Sequence, residues 1–195
     1  MNDDYQQPRF YRFNEDSIRL VKWIIEKKIK PHKILDLGAG CGVIGIELAR
    51  ALNPEVLTLV DVQTVFLTFM KKNCQFFVPS STQYSIHINS YSNFSPLFKY
   101  DLIVCNPPYY LPGRGEVSKD ANRALARTFL LDSWPILLKT ISESLADDGR
   151  AFIVLKNDKS ILLEISRLVF QYNLSLEPNQ RDSIMILELF RLNKN

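Results

Sequence analysis

The feature that most restricts the fold of this chain is a regular alternation of short apolar runs with longer amphipathic stretches, entered through one run that opens into glycines. Lys33-Ile34-Leu35-Asp36-Leu37 reads as a short buried strand. Gly42 to Ala51 then reads as a helix, Val56 to Val60 as a strand, Val62 to Asn73 as a helix, and Tyr84 to Ile88 and Tyr100 to Cys105 as the third and fourth strands. Parallel neighbours need long crossover connections, so the alternation predicts a parallel sheet with helices on both faces, an α/β fold. Upstream, Ser17 to Lys30 carries an approximate helical pattern ended by Pro31 and reads as a covering helix. Downstream of a loop over 106–122, Trp134 to Leu145 reads as a helix, with Pro135 in its first turn and Asp147-Asp148-Gly149 as its stop. Ala151 to Leu155 gives a fifth strand, and a helix follows from about Lys159 to Phe170. Leu174-Ser175-Leu176 and Ser183 to Phe190 lie too close for another crossover helix and are expected to pair as an antiparallel hairpin.

The chain has 195 residues, which suits one domain with a full core over 1–195: an N-terminal segment and covering helix over 1–32, then the core over 33–195. Hydrophobic residues at 46% and charged residues at 23% exclude a disordered chain or a coiled coil. A net charge of +3 is compatible with a polyanionic partner but does not select one. Cys41, Cys74 and Cys105 are widely spaced, with neither a disulfide framework nor metal-ligand spacing, so a reducing cytoplasm and no metal are expected. No apolar stretch is long enough for a membrane span, and Met1-Asn2-Asp3-Asp4 does not begin an export signal, so no membrane association is expected.

Asp36-Leu37-Gly38-Ala39-Gly40-Cys41-Gly42 joins the first strand to its helix, and its glycines let the backbone approach a ligand closely. Gly40-x-Gly42-x-x-Gly45 also fits a dinucleotide-binding loop. Asp36 separates the two readings: a pyrophosphate would meet its carboxylate, whereas a cationic ligand with a free amino group, such as S-adenosylmethionine, is favoured there. Asp61 ends the second strand, where a carboxylate can accept hydrogen bonds from both ribose hydroxyls of either cofactor. Its alternative role is an N-cap on the next helix.

Asn106-Pro107-Pro108-Tyr109 leaves the fourth strand. The amino group of adenine or of a carboxamide has its lone pair drawn into the neighbouring π-system and is a poor nucleophile, so it must be held where attack is possible. The Asn106 side-chain carbonyl and the Pro107 backbone carbonyl can both accept from that NH2. The prolines stiffen the support, and Tyr109 offers a ring face for stacking. The same tetrapeptide is otherwise an ordinary strand-exit turn.

With these features in order, the chain resembles the class I S-adenosylmethionine-dependent methyltransferases over nearly its whole length. Tyr11-Arg12-Phe13-Asn14-Glu15-Asp16-Ser17, and the run from Asn106 through Tyr110 to Gly113, Gly115, Ser118, Arg123, Ala126 and Arg127, are similar to the bacterial tRNA(Val) adenine-N6 methyltransferases. In that family the modified adenosine lies immediately 3′ of the anticodon. The resemblance implies a Rossmann-like, seven-stranded, mostly parallel sheet with the last strand antiparallel. It also implies that Asp36, Gly38, Gly40 and Gly42 line the methionine portion of the cofactor, that Asp61 holds its ribose, and that Asp16 sits near the same pocket, with Asn106 between cofactor and substrate. The wider class often has an acidic residue after the third strand; here the stretch is Asn89-Ser90-Tyr91, so Asn89 or Ser90 would meet the cofactor adenine.

On the substrate side, Arg114, Lys119, Arg123 and Arg127 place cations at the expected mouth of the site, and Pro108 and Tyr110 are assigned there as well. Lys22, Lys27, Lys28, Lys30 and Lys33 form a second basic group, either tracking an RNA backbone or forming a solvated helix face. Neither His32 nor His87 is placed to act as a base. The expected reaction is direct methyl transfer to the N6 of a swung-out tRNA adenine. The rivals are a protein glutamine amide or another nucleic-acid amine as acceptor, and a noncatalytic nucleotide- or RNA-binding module. Oligomeric state does not follow from the sequence.

Overall fold

The computed structural model describes residues 5–13, 15–107, 133–181 and 184–192. Among them seven strands, β1 (Lys33–Leu37), β2 (Val56–Asp61), β3 (Gln83–Ile88), β4 (Tyr100–Cys105), β5 (Leu145–Lys156), β6 (Leu174–Arg181) and β7 (Ile184–Arg191), share one sheet in the order β3-β2-β1-β4-β5-β7-β6. The pairings from β3 across to β5 are parallel, and β7 runs antiparallel to both β5 and β6. The fold is the α/β, Rossmann-like, seven-stranded sheet expected, with its C-terminal hairpin.

Alternation along each strand sends side chains to opposite faces, and each face is roofed by helices. Helices α1 (Glu15–Glu26), α2 (Val43–Leu52) and α3 (Leu67–Phe77) cover one face, where Ile34, Leu57 and Val104 meet them. Helices α4 (Trp134–Ser144) and α5 (Lys159–Leu168) cover the other, where Leu35, Ile103 and Ile153 pack against Trp134 and Ile165. In α1, Leu20, Val21 and Ile24 are buried at helical spacing, each contributing about 1.5–3 kcal/mol relative to exposure. No described helix is long and apolar enough to cross a membrane.

Several boundaries differ from the sequence expectation, each for a local reason. The covering helix starts at Glu15 and ends at Glu26, before Pro31, because Lys28 turns into the left-handed region (φ 56°). The helix expected from Val62 begins as a 3-10 turn over Thr64–Phe66 and becomes α-helical at Leu67, since Asp61 and Gln63 are occupied in a turn of their own. Asp147-Asp148-Gly149 does not stop a helix. The helix has ended at Ser144, and these residues bulge out of β5, whose register jumps from Leu145 opposite Tyr100 to Arg150 opposite Leu102. Gly149 is required in that bulge, because a Cβ there would lie 2.8 Å from the Tyr100 carbonyl oxygen. The helix expected to reach Phe170 closes as a 3-10 turn over Val169–Tyr172, and the first hairpin strand runs on to Arg181.

The strand order positions the site. From β1 the chain moves to β2 and β3 on one side, then returns to β4 on the other, which makes the β1–β4 border a switch point where α/β sheets open a crevice. Leu37 is aligned with Cys105 across that border, so the glycine loop and the Asn106 turn leave the sheet side by side.

Candidate active site

The glycine loop is held by main-chain bonds. Gly38 and Ala39 donate to the Val60 carbonyl at 2.8 and 3.0 Å, and Gly40 N–H donates to Asp61 Oδ2 at 2.8 Å. Gly38, Gly40 and Gly42 all have positive φ (74°, 55° and 81°). At Gly38 space is restricted as well: a Cβ would lie 2.7 Å from the Tyr91 hydroxyl, which itself approaches Cys105 Sγ at 3.8 Å. A Cβ on Gly40 would lie 3.3 Å from the Tyr11 hydroxyl. Two tyrosines thus flank the loop.

Tyr11 belongs to an N-terminal strap clipped down by Asn73. This wholly buried side chain accepts from Gln6 N–H and donates to the Gln6 carbonyl, both at 2.9 Å, and also donates to the Cys41 carbonyl of the glycine loop at 2.9 Å. Tyr5 adds a hydroxyl bond to Glu47 at 2.7 Å. Asn73 of α3 thus ties the strap to the glycine loop.

Two carboxylates stand beneath the loop. Asp36 is 0% exposed; its Oδ2 accepts from Gly45 N–H at 2.8 Å, while its Oδ1 is buried with no hydrogen-bond partner among the described residues. Burial raises this carboxyl to about 7, opposed by the Gly45 hydrogen bond and reinforced by the nearby Asp61 charge. Asp61 accepts from Gly40 and Gln63, the latter at 2.8 Å to Oδ1; burial still raises it to about 6. Besides ending β2, then, Asp61 pins the glycine loop and the turn at Gln63, and its cap-like bond goes to that turn rather than to α3. Burial pushes the Cys41 and Cys74 thiols up to about 12, which removes them as nucleophiles at neutral pH.

On the other side of the crevice, Asn106 Nδ2 donates to Ser17 Oγ at 3.0 Å across 89 residues of sequence. Ser17 lies in the first turn of α1, next to Asp16, so the start of the covering helix reaches the Asn106 turn. Pro107 is buried. Asn89 sits at the ends of β2 and β3, its N–H donating to the Asp61 carbonyl at 3.0 Å, and the Ser90 hydroxyl pairs with that of Ser92 at 2.9 Å.

The structure thus gathers Asp36, Gly38, Gly40, Gly42, Asp61, Asn89, Asn106 and Pro107 at or just beyond the carboxyl ends of adjacent strands, with Ser90 just beyond β3, whereas Asp16 lies in the first turn of α1 beside Ser17. Pro108, Tyr109, Tyr110, Arg114, Lys119, Arg123 and Arg127 lie outside the described residues. In the second basic group, Lys27 is paired with the buried Glu188 at 2.7 Å and Lys33 lies over the Phe98 ring, while Lys22, Lys28 and Lys30 are exposed. His32 pairs with Glu55, and His87 packs on Phe94. Sequence reasoning missed Ser17, Asn73 and Tyr91, polar residues inside or just after amphipathic runs. A buried polar position on an otherwise apolar helix face, as at Asn73, was the signal available.

A family model described as the methyltransferase small domain matches residues 15–177, which includes both halves of this crevice. The chain belongs to that family. It is 32% identical to a tRNA1(Val) (adenine(37)-N6)-methyltransferase of Vibrio campbellii over 142 residues, 72% of this chain and 56% of that protein. With the protein of the same name from Vibrio parahaemolyticus it shares 29% identity over 183 residues, 92% of this chain and 74% of that one. The first of these matches thus spans little more than half of its relative. Among solved structures, a 16S rRNA N2-guanosine methyltransferase from T. thermophilus, in complex with AdoMet and guanosine, superposes with a TM-score of 0.67 at 17% identity, covering 92% of this chain and 44% of that one. At that identity the likeness concerns the fold.

Proposed function

We propose that this chain, acting as a single methyltransferase domain over 1–195 in the cytoplasm, transfers a methyl group from S-adenosyl-L-methionine to the exocyclic N6 of a tRNA adenine beside the anticodon. The observation that carries this reading is the meeting of the glycine loop and the Asn106 turn at the β1–β4 switch point. Membership of the methyltransferase small domain family and the names of the curated relatives support the same chemistry and the same substrate.

The residues present fit the cofactor. The buried Asp36 oxygen without a partner among the described residues calls for a hydrogen-bonding cation, which the amino group of S-adenosylmethionine provides. Asp36, Gly38, Gly40 and Gly42 would hold the methionine portion, Asp61 the ribose hydroxyls, and Asn89 or Ser90 the adenine, with Asp16 at the rim. Bound there, the cofactor supplies an electrophilic methyl group on a sulfonium.

The chain's own contribution is positioning. Asn106 and the Pro107 carbonyl accept both hydrogens of the target NH2 and turn its lone pair toward the cofactor, and Tyr109 stacks on the flipped base. Pro108 and Tyr110 shape the base pocket, while Arg114, Lys119, Arg123 and Arg127 meet phosphates. No dedicated base is needed, because the methylated nitrogen is acidic and its extra proton leaves to water.

Asn106→Ala is expected to bind S-adenosylhomocysteine normally in calorimetry and to lose methyl transfer by about 10²–10³-fold, the scale of one lost polar contact to a reacting group. Near-normal turnover would refute the role. Mass spectrometry of nucleosides from tRNA treated with enzyme and cofactor tests the substrate; label appearing in protein glutamine instead would transfer the chemistry to an amide acceptor.

A further inference from the structure

The carboxamide of Asn106 has two ends of nearly the same shape and opposite chemistry: Oδ1 accepts hydrogen bonds and Nδ2 donates them. An amino group on the substrate is a donor. If the amide turned over, donor would face donor, and the support that the reaction needs would become repulsive. The carboxamide must therefore be held in place, and a residue outside the glycine loop and outside the tetrapeptide touches it.

We infer that Ser17 is a positioning residue that anchors the Asn106 amide. This rests on the reading of Asn106 given above. Ser17 Oγ takes an Nδ2 hydrogen at 3.0 Å. In this arrangement Nδ2 faces α1 and Oδ1 lies on the other branch of the amide; a hydroxyl donates as well as accepts, so the bond anchors the side chain rather than choosing its end. Ser17 can do this because it is held rigidly: it is 2% exposed, and Leu20, Val21 and Ile24 on the same helix are buried against the sheet. The helix is fixed at its far end too, where Lys27 pairs with Glu188 of β7. A side chain on a packed helix holds its partner more tightly than one on a loop.

The test compares the unaltered protein with Ser17→Ala, Ser17→Thr, Asn106→Ala and the Ser17→Ala/Asn106→Ala double variant. Single-turnover methyl transfer to tRNA should fall about tenfold in Ser17→Ala, as expected for a misaligned reacting group. KM for cofactor and affinity for S-adenosylhomocysteine should not change, and Ser17→Thr should restore most of the rate. In the Asn106→Ala background the Ser17 change should add no further loss, because both act through one group. An equal further loss there, or a Ser17→Ala rate within twofold of the unaltered protein, overturns the inference.

A second readout does not depend on the reaction. In protein labelled with ¹⁵N at asparagine, the Asn106 side-chain NH2 signals, assigned by their loss in Asn106→Ala, should shift and exchange faster with water in Ser17→Ala. Unchanged signals overturn the positioning role even if tRNA is methylated. Shifted signals with no methylation of tRNA by the unaltered protein instead overturn the proposed reaction and leave the Ser17–Asn106 contact standing.

Discussion

Asp36 under the glycine loop and Glu188 in the C-terminal hairpin are both carboxylates with no solvent exposure, yet the protein treats them in opposite ways. Glu188 has two cations: Lys27, the residue just after α1, at 2.7 Å on one oxygen and Arg150 from β5 on the other. Burial by itself would raise its pKa, but the hydrogen bonds and charges of Lys27 and Arg150 outweigh it and hold the group below its ordinary 4.5. Among the described residues Asp36 has one backbone donor, no cation and one orphaned oxygen, and it is raised to about 7. The paired carboxylate bolts a helix to a sheet. The unpaired one stores a desolvation penalty that a cationic ligand can relieve.

This contrast can be broken most forcefully at the hairpin. Replacing both Lys27 and Arg150 by Met leaves Glu188 buried without a counter-charge and is expected to lower stability by about 3–5 kcal/mol in urea unfolding at neutral pH. A loss below about 1 kcal/mol would mean that the pair is ornamental.

Asp36→Asn should have the opposite sign. The ordinary carboxyl value is 3.8 and the folded value is about 7. Below pH 3.8 both folded and unfolded chains hold the proton and folding loses nothing; between the two values the unfolded chain gives it up first, so stability falls as pH rises through that window. The ligand-free Asn variant should therefore be more stable than the unaltered protein at pH 8, with a flatter profile from pH 4 to 7. Its affinity for S-adenosylmethionine should drop about tenfold to a hundredfold, the value of a hydrogen bond to a charged group. Calorimetry at pH 6 in two buffers of different ionisation enthalpy should register proton release on binding to the unaltered protein and less to the variant. Glu188 gives the reverse slope: its contribution is present above 4.5 and is lost as pH falls through its lower folded value.

The smallest effect sharpens the description of the loop. Gly38→Ala places a Cβ 2.7 Å from the Tyr91 hydroxyl at φ 74°, and should lower stability by about 1–2 kcal/mol from the left-handed backbone strain alone. Pairing it with Tyr91→Phe should recover only the part due to the clash. Full recovery in a thermal melt would show that the backbone conformation carries no strain.

Much of the fold was legible because its signals are local. Each strand from Lys33–Leu37 to Tyr100–Cys105 is a short apolar run, and each crossover has a helical period. The failures came where a distant contact overrode a local signal: Asp147-Asp148-Gly149 looks like a stop, but the sheet absorbs it as a bulge beside Tyr100. Lys27 looks like one more solvated lysine, and only the hairpin reveals its buried partner.

By itself the sequence determined the parallel sheet, the glycine loop and the chemistry offered by Asn106 and Pro107, because period, turn residues and functional groups belong to neighbouring positions. Tertiary structure alone decided that Ser17 would hold Asn106, that Asn73 would clip the strap to Cys41, and that Asp36 would be left with an oxygen to spare. Those outcomes depend on strand order and burial, which set the distance and the dielectric between groups far apart in the chain, and no local pattern encodes either.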